Sequence, residues 1–420
     1  MKPSPAVAQS LHEMIREGFQ PRFGELQASF PASALWAAVR ATGTAIWLDT
    51  GDVEAARKLW TREMEGLTTN NTLLNAEIQK GLYDAAIPEV ADRVRAAAPR
   101  VSRDELVLEI AFALNALHGL KLVEAFDCKV SVELHTALAD DLEATVAYAR
   151  RYHAICPERF IVKIPLTPAG LLAARIVVAE GIPVNYTLGF SARQNYVIAR
   201  LARATWCNVF MGRLNAYAAD EKLCDGRFVG EKATLASQRG LLDLRSQGIG
   251  TKQIGASMRG PSQVADLAGL DVFTIPVKVA QAFVDSRPEP SSLRARLGER
   301  YEPQWASGVD PRAEGLNALW EIDAATKSAV DACLAHGPER LDGQGLQDLF
   351  HRHGAGNLFP RYAAADLEAI ARDGKLPKRE RWKARLAQGE VGLDALLTTA
   401  GLLSFTADQA ALDQRVASLI

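Results

Sequence analysis

Short apolar runs rich in β-branched residues alternate with longer segments of mixed polarity, from about residue 44 to residue 283. The short runs predict strands buried on both faces, and the longer segments, with apolar residues at helical spacing, predict helices. Regular alternation of this kind is typical of a parallel sheet covered by helices, and eight such units predict an α/β fold that closes into a (β/α)8 TIM barrel. The predicted strands are 45–49, 66–69, 130–134, 160–165, 183–188, 206–211, 252–257 and 272–277, with helices between them at positions that include 103–126, 140–153, 168–180 and 191–204.

An open, doubly wound sheet is the alternative architecture. Such a sheet usually carries a glycine-rich phosphate loop directly after its first strand. The sequence after the first predicted strand here is Asp49-Thr-Gly-Asp52, which is not a loop of that kind. The closed barrel is therefore the preferred prediction.

The segments on either side of the barrel are predicted to be helical. Residues 1–40 supply one or two helices, residues 41–285 form the barrel, and a helical extension occupies 286–420 after a Pro- and Ser-rich linker at 286–292. Apolar stripes in the extension, including Leu316, Leu319 and Trp320, are expected to pack on the barrel or on another subunit. Helices are predicted in the extension at 311–336, 345–352, 363–373, 378–389 and 406–419.

Composition limits the classes of function. The chain has 420 residues, with 48 Lys+Arg against 50 Asp+Glu and a pI of 6.4, so no general charge attracts nucleic acid or a membrane surface. The first 22 residues do not form a signal peptide, and no segment is expected to approach the roughly 20 apolar residues of a membrane span. Five scattered cysteines indicate neither a disulfide framework nor a zinc site, and His351 and His353 would diverge on a helix. A soluble cytoplasmic protein is expected.

Lys163 stands inside the apolar run Phe160-Ile-Val-Lys-Ile-Pro165. Burial disfavours the charged form of an amine, and Schiff-base chemistry on a carbonyl needs the free amine. A single lysine in such a run is more often a solubilising residue at an edge or rim. Its neighbours in the predicted fold decide between these interpretations.

Polar residues recur at the carboxyl ends of the predicted strands, where a barrel of this kind assembles its active site. Taken singly, each has a local explanation: Asp49 would cap a helix, and Asn70 would turn a loop. Together they are harder to explain locally, because strands buried on both faces are otherwise nearly all apolar. The set comprises Asp49, Asn70, Glu133, Lys163, Asn185, Thr187, Asn208, Ser257 and Arg259.

Seven motifs in this order resemble those of the transaldolase family, a class I Schiff-base family built on a (β/α)8 barrel. Lys163-Ile-Pro165 is similar to the KIP segment that holds the Schiff-base lysine, and the resemblance covers about residues 44–280. The other motifs are Asp49-Thr-Gly-Asp52 on the first strand, Thr68-Thr-Asn70 (TTNPS), Val130-Ser-Val-Glu133 (VSxEV), Asn185-Tyr-Thr-Leu188 with Phe190-Ser191 (NxTLxFS), Phe210-Met-Gly-Arg213 (FVGR) and Gly255-Ala-Ser-Met-Arg259 (GASFR).

Three positions depart from the family pattern. Asn71 and Thr72 stand where the family usually has Pro and Ser, and Asn208 stands where it usually has a serine. An amide is larger than a hydroxyl and brings both a donor and an acceptor, so Asn208 is expected to narrow or re-aim the pocket. The extension is also longer than the usual transaldolase tail.

The resemblance implies transfer of a dihydroxyacetone unit from a ketose phosphate, sedoheptulose 7-phosphate or fructose 6-phosphate, to an aldose phosphate, as in the pentose phosphate pathway. Lys163 would form the Schiff base with no metal or organic cofactor. Asp49 would move the C4 hydroxyl proton, and Glu133 with Thr187 would shuttle protons during imine formation. Phe210, where related aldolases have a tyrosine that releases free dihydroxyacetone, favours transfer. The implied substrate-binding residues are Asn70, Asn185 and Asn208 for the hydroxyls, and Arg213, Ser257 and Arg259 for the phosphate.

Two alternatives stay open. One is a transaldolase-like enzyme or aldolase that acts on a non-standard ketose in a specialised pathway, which Asn208 and the long extension favour. The other is a barrel that has lost turnover and serves as a binding subunit. Phosphorylated sugars are the expected small-molecule partners, nucleic acid and membranes are not, and a homo-oligomer is compatible with the sequence.

Overall fold

A computed structural model describes residues 4–420, and its centre is a closed barrel of eight parallel strands. Each strand pairs with the next in the chain, and the last pairs with the first, with Asp49 opposite Pro276. The TIM barrel is thereby confirmed. The strands are β1 (Ala45–Asp49), β2 (Met64–Thr68), β3 (Lys129–Glu133), β4 (Phe160–Pro165), β5 (Val184–Thr187), β6 (Trp206–Phe210), β7 (Lys252–Ala256) and β8 (Val272–Pro276).

Helices surround the barrel and continue beyond it. Two of them precede β1, as predicted, and five follow β8 in the extension. They are α1 (Pro5–Arg16), α2 (Ala34–Ala41), α3 (Val53–Arg57), α4 (Asn71–Gln79), α5 (Ala86–Ala97), α6 (Arg103–Phe126), α7 (Leu142–Ile155), α8 (Pro168–Ala179), α9 (Ala192–Val197, continued as a π-helix over Ile198–Ala202), α10 (Met211–Asp220), α11 (Val229–Arg245), α12 (Ser262–Asp266), α13 (Val277–Asp285), α14 (Ala324–His336), α15 (Gly343–Arg352), α16 (Ala364–Asp373), α17 (Arg379–Ala387) and α18 (Leu393–Ala417).

The strands form where β-branched and apolar residues lie in short buried runs. All six residues of β4 are buried, Lys163 included, and β3, β5 and β6 are almost or entirely buried as well. The predicted bounds agree with the structure to within one or two residues. Buried parallel strands leave few places for polar side chains other than their ends. Because all eight strands run in the same direction, the polar side chains at their carboxyl ends meet at one end of the barrel.

The longest barrel helix, α6, corrects one expectation. Its 24 residues are long and apolar enough to cross a membrane by length and composition alone. In this fold 83% of its most apolar window is buried, and Asn115 on α6 donates a hydrogen bond to the Glu133 carbonyl oxygen of β3 at 2.7 Å. A capping box at Ser102 and Glu105 begins the helix. The helix is apolar on most faces because it packs between the barrel and other helices.

The extension packs on the barrel. Leu316 and Leu319 are fully buried and Trp320 is half-buried, and α15 packs against α8 while α18 packs against α4 and α6. Two predicted helices are wrong in extent. Residues 311–323 form turns and a short 3-10 helix, Leu316–Leu319, and only Ala324–His336 is α-helical. The last helix begins at Leu393, well before the predicted start at residue 406.

Candidate active site

A cavity of about 290 Å³ opens at the carboxyl end of the barrel. Its wall includes residues from seven of the eight strands or the loops that follow them, all but β3, together with two residues of the extension, Lys375 and Phe405. The site residues predicted from the sequence that line it are Asp49, Asn70, Lys163, Asn185, Asn208, Phe210, Arg213, Ser257 and Arg259. The fold therefore brings together groups that lie up to 210 positions apart in the chain.

Lys163 reaches the floor of this cavity from β4. Its side chain is buried, and its Nζ donates a hydrogen bond to the Thr69 carbonyl oxygen at 2.9 Å. The Glu133 Oε2 lies 3.3 Å from the same nitrogen, because Glu133 and Lys163 are register partners on adjacent strands. An amine held beside a carboxylate is suited to lose and regain a proton while it forms an imine.

Asp49 ends β1, and its carboxylate is held by one threonine that is itself hydrogen-bonded to a second. Thr68 donates a hydrogen bond to Asp49 Oδ1 at 2.7 Å, and its hydroxyl oxygen lies 2.6 Å from that of Thr274. Because Thr68 has a single hydroxyl proton, Thr274 donates to Thr68, and a short relay points at the carboxylate. Burial raises the pKa of Asp49, while Lys163, the Thr68 hydroxyl and Arg259 act in the opposite direction. Such a carboxylate can accept a proton at neutral pH and return it.

Glu133 and Thr187 lie behind the cavity wall. Burial raises the pKa of the Glu133 carboxyl, and the positive charge of Lys163 opposes that shift. Thr187 is fully buried on β5, opposite Pro165 of β4, and its hydroxyl has no hydrogen-bond partner among the described residues 4–420. The structure thus places Glu133 against the amine but does not bring Thr187 to the cavity surface.

The three asparagines differ in how their amides are engaged. Asn70 Oδ1 accepts a hydrogen bond from the Leu73 N–H at 2.8 Å and caps α4, a local role that differs from the loop turn expected for this residue. Asn185 donates to the Ser131 hydroxyl at 3.0 Å, and its buried Oδ1 has no partner in the described part of the chain. Asn208 Oδ1 accepts from the Gly189 N–H at 3.2 Å, which leaves its amide nitrogen for the cavity.

Two arginines, Arg213 and Arg259, line another part of the cavity wall. Arg213 is buried, and within residues 4–420 it forms no ion pair, while its Nη1 has no hydrogen-bond partner. Burial, and then the nearby Arg259, lower the pKa of Arg213 to about 10, which keeps it charged at neutral pH. A buried cation without a counter-ion is costly and is stabilised when an anion binds. Ser257 stands beside these arginines in the left-handed region at φ 62°, a strained conformation of the kind that clusters at binding sites.

Several residues of this site were missed from the sequence. Thr274 is a polar residue inside an otherwise apolar strand, a signal like that of Lys163, and Ser131 sits in the motif already quoted for Glu133. Lys375 and Phe405 gave no signal, because nothing in the sequence of the extension relates it to the mouth of the barrel.

A parallel barrel with a buried amine beside one carboxylate, Glu133, and near a second, Asp49, is the arrangement of a Schiff-base aldolase-type enzyme. Residues 46–318 match the family described as Transaldolase/Fructose-6-phosphate aldolase. Among similar proteins, a transaldolase of Trichormus variabilis is 31% identical over 310 residues, which cover 71% of this chain and 87% of that protein. A transaldolase of Thermosynechococcus vestitus is 27% identical over 361 residues, 81% of this chain and 88% of that protein. This chain belongs to the transaldolase/fructose-6-phosphate aldolase family.

Proposed function

We propose that this protein transfers a dihydroxyacetone unit from a ketose phosphate, such as fructose 6-phosphate or sedoheptulose 7-phosphate, to an aldose phosphate through a Schiff base on Lys163. The observation that carries the proposal is the buried Lys163 amine, 3.3 Å from Glu133, in the same cavity as Asp49 and the unpaired Arg213. The amine and the carboxylates supply the covalent chemistry, and the arginine supplies a place for phosphate.

The first half of the reaction builds the imine. The Lys163 amine attacks the C2 carbonyl carbon of the ketose, and a proton moves from the nitrogen to the new hydroxyl to give a carbinolamine. Glu133, beside Nζ, takes a separate proton from the Lys163 ammonium before the attack, and it returns that proton to the C2 hydroxyl, which leaves as water. The product is an iminium, which withdraws electrons from the neighbouring carbon–carbon bond.

The second half breaks and remakes a carbon–carbon bond. Asp49 takes the proton of the C4 hydroxyl, the C3–C4 electron pair moves toward the iminium nitrogen, and an aldose phosphate leaves. A three-carbon enamine stays on Lys163. An incoming aldose phosphate is attacked at its aldehyde carbon by the enamine, and Asp49 returns its proton to the new hydroxyl. Water then releases the longer ketose phosphate and restores the amine.

The phosphate and the hydroxyls are recognised by separate parts of the wall. The fork of the Arg213 guanidinium suits phosphate oxygens, with Arg259 and Ser257 beside it. The unpaired Oδ1 of Asn185 and the amide nitrogen of Asn208 suit the hydroxyls of the three-carbon unit. Phe210 offers the enamine no proton, which favours transfer over release of dihydroxyacetone. The cellular setting we propose is cytoplasmic sugar-phosphate metabolism.

The test is a transfer assay read by mass spectrometry. Fructose 6-phosphate and a four-carbon aldose phosphate should give glyceraldehyde 3-phosphate and sedoheptulose 7-phosphate, and omission of the acceptor should give little free dihydroxyacetone. Phe210→Tyr is the matched variant and should release more dihydroxyacetone. Rapid release by the wild-type protein would identify an aldolase instead. Absence of any reaction with either set of substrates would favour a binding subunit.

A further inference from the structure

We infer that the C-terminal extension completes the active site with two side chains that face the substrate: Lys375 as a third cation for the terminal phosphate, and Phe405 as an apolar wall over Lys163 and Arg213. Both residues lie beyond residue 318, where the family match ends. The inference rests on the proposed function, because it assigns these residues to the same phosphorylated substrate.

Phe405 packs over both cations of the cavity. Its side chain is 3% exposed, and its ring centroid lies 6.0 Å from Lys163 Nζ and 5.6 Å from Arg213 Cζ. The ring of Phe210 lies 5.3 Å from the same Arg213 carbon. Aromatic faces near a guanidinium stabilise its charge without consuming its hydrogen-bond donors. The Arg213 guanidinium therefore lies close to two rings and keeps donors for a substrate oxygen.

The beginning of α18 is tied firmly to the barrel, so that Phe405 is held in place. Arg193 on α9 donates to both carboxylate oxygens of Asp394 at 2.7 Å, and all of these groups are buried. Thr398 donates at 2.8 Å to the carbonyl oxygen of Leu188, a residue in the left-handed region at φ 64°. At Gly401 an added Cβ would lie 2.9 Å from Arg213 Nη1, so glycine is what lets the helix approach the arginine.

The later part of α18 is tied to the positions where the chain departs from the family motif. Asn71 donates to Gln409 Oε1 at 2.6 Å, and the Thr72 hydroxyl donates to the Asp408 carboxylate. Proline and serine, which the family usually has at 71 and 72, would not offer the same pair of contacts, because proline has no side-chain donor. The two residues that differ from the family pattern, Asn71 and Thr72, therefore provide the contacts that hold this part of α18.

Lys375 reaches the same cavity from the turn after α16. It is exposed, as is Arg259, and among the described residues it has no ion pair or hydrogen bond. Most exposed lysines are simply solvated, and what distinguishes Lys375 is its place on the wall shared with Arg213 and Arg259. A sugar phosphate is close to doubly charged at neutral pH, and a third cation at the cavity mouth would contact it as it binds.

Lys375→Met tests the cation, with Lys327→Met as its matched control, because Lys327 is another exposed lysine of the extension that does not line the cavity. We expect Lys375→Met to raise KM for fructose 6-phosphate roughly three- to tenfold, with little change in KM for unphosphorylated fructose, since one partly solvated charge contact is lost. Lys327→Met should match the wild type for both donors. Equal KM values in the two variants would overturn the assignment of Lys375.

Phe405→Leu tests the wall, with Phe350→Leu as its control, because Phe350 is a fully buried phenylalanine of the extension away from the cavity. Phe405→Leu should lower kcat/KM for phosphorylated and free donors alike, and Phe350→Leu should change only thermal stability. Identical kinetics in the two leucine variants would refute a substrate-facing role for Phe405. A wild-type protein without transfer activity or a borohydride adduct would instead refute the proposed function, whatever these variants do.

Discussion

The hydrogen bond from Thr68 to Asp49 is the contact whose removal gives the sharpest pH prediction. Thr68→Val keeps the shape of the side chain, removes the donor 2.7 Å from Asp49 Oδ1, and leaves the Thr274 hydroxyl without its acceptor. That hydrogen bond lowers the pKa of Asp49, against burial, which raises it. Its loss must therefore raise the pKa of Asp49 further.

The size of the change follows from the strength of such a bond. A hydrogen bond to a charged group contributes about 1.5–3 kcal/mol, and each 1.36 kcal/mol corresponds to one pH unit, so the pKa of Asp49 should rise by about one to two units. Asp49 must be ionised to take the C4 hydroxyl proton, so activity falls as pH falls through its pKa. The acid limb of the wild-type profile should already lie above the usual range of an aspartate, because burial raises this pKa.

The assay is the dependence of kcat/KM on pH with fructose 6-phosphate as donor. Thr68→Val should move the acid limb to higher pH by about one unit or more, while Thr68→Ser, which keeps the donor, should leave it in place. Thr274→Val should move it less than Thr68→Val, because Thr68 still reaches Asp49. An acid limb that stays at the same pH in Thr68→Val would refute the assignment of Asp49 as the titrating base.

Three further predictions concern the phosphate and the extension. Arg213→Met should cost about 1.5–3 kcal/mol of transition-state binding, roughly ten- to a hundredfold in kcat/KM, for phosphorylated donors and much less for unphosphorylated fructose; equal losses would mean that Arg213 serves only the fold. Asp394→Ala leaves the buried Arg193 with only the more distant and partly exposed Asp323 as an ion-pair partner, which should lower the free energy of unfolding in urea by about 3 kcal/mol, and a change below about 1 kcal/mol would contradict the importance of the buried pair. Deletion of residues 286–420 should expose apolar surface of the barrel and cause aggregation, seen by size-exclusion chromatography, whereas a soluble and fully active barrel would show the extension to be independent.

The barrel strands were predictable because burial on both faces leaves a strong apolar signal over four to six residues. The polar residues of the candidate site were predictable for the same reason, because a residue such as Lys163 or Asn185 is conspicuous in an otherwise apolar, buried strand. The extension gave weaker signals. Residues 393–405 of α18 contain two threonines, a serine and a glycine, all poor or moderate helix formers, and tertiary contacts such as Arg193–Asp394 stabilise the helix there instead.

Contacts that join distant parts of the chain set the limit of prediction at the site. Phe405 and Lys163 are 242 positions apart, and their approach depends on the path of α18 across the end of the barrel, which no local pattern encodes. The helix predicted over residues 311–323 failed for a related reason: Leu316 and Leu319 are buried, but in a 3-10 helix flanked by turns. Apolar spacing there indicated burial and was mistaken for an α-helix.

The central claim is that Lys163 carries the covalent intermediate, and borohydride trapping tests it most directly. The protein is incubated with fructose 6-phosphate, reduced with borohydride, digested and mapped by mass spectrometry. A stable three-carbon or six-carbon adduct should appear on the peptide that contains Lys163, and Lys163→Arg, which keeps the charge but cannot form an imine, should yield none and lose transfer activity. An adduct on another lysine, or trapping that survives in Lys163→Arg, would contradict the account.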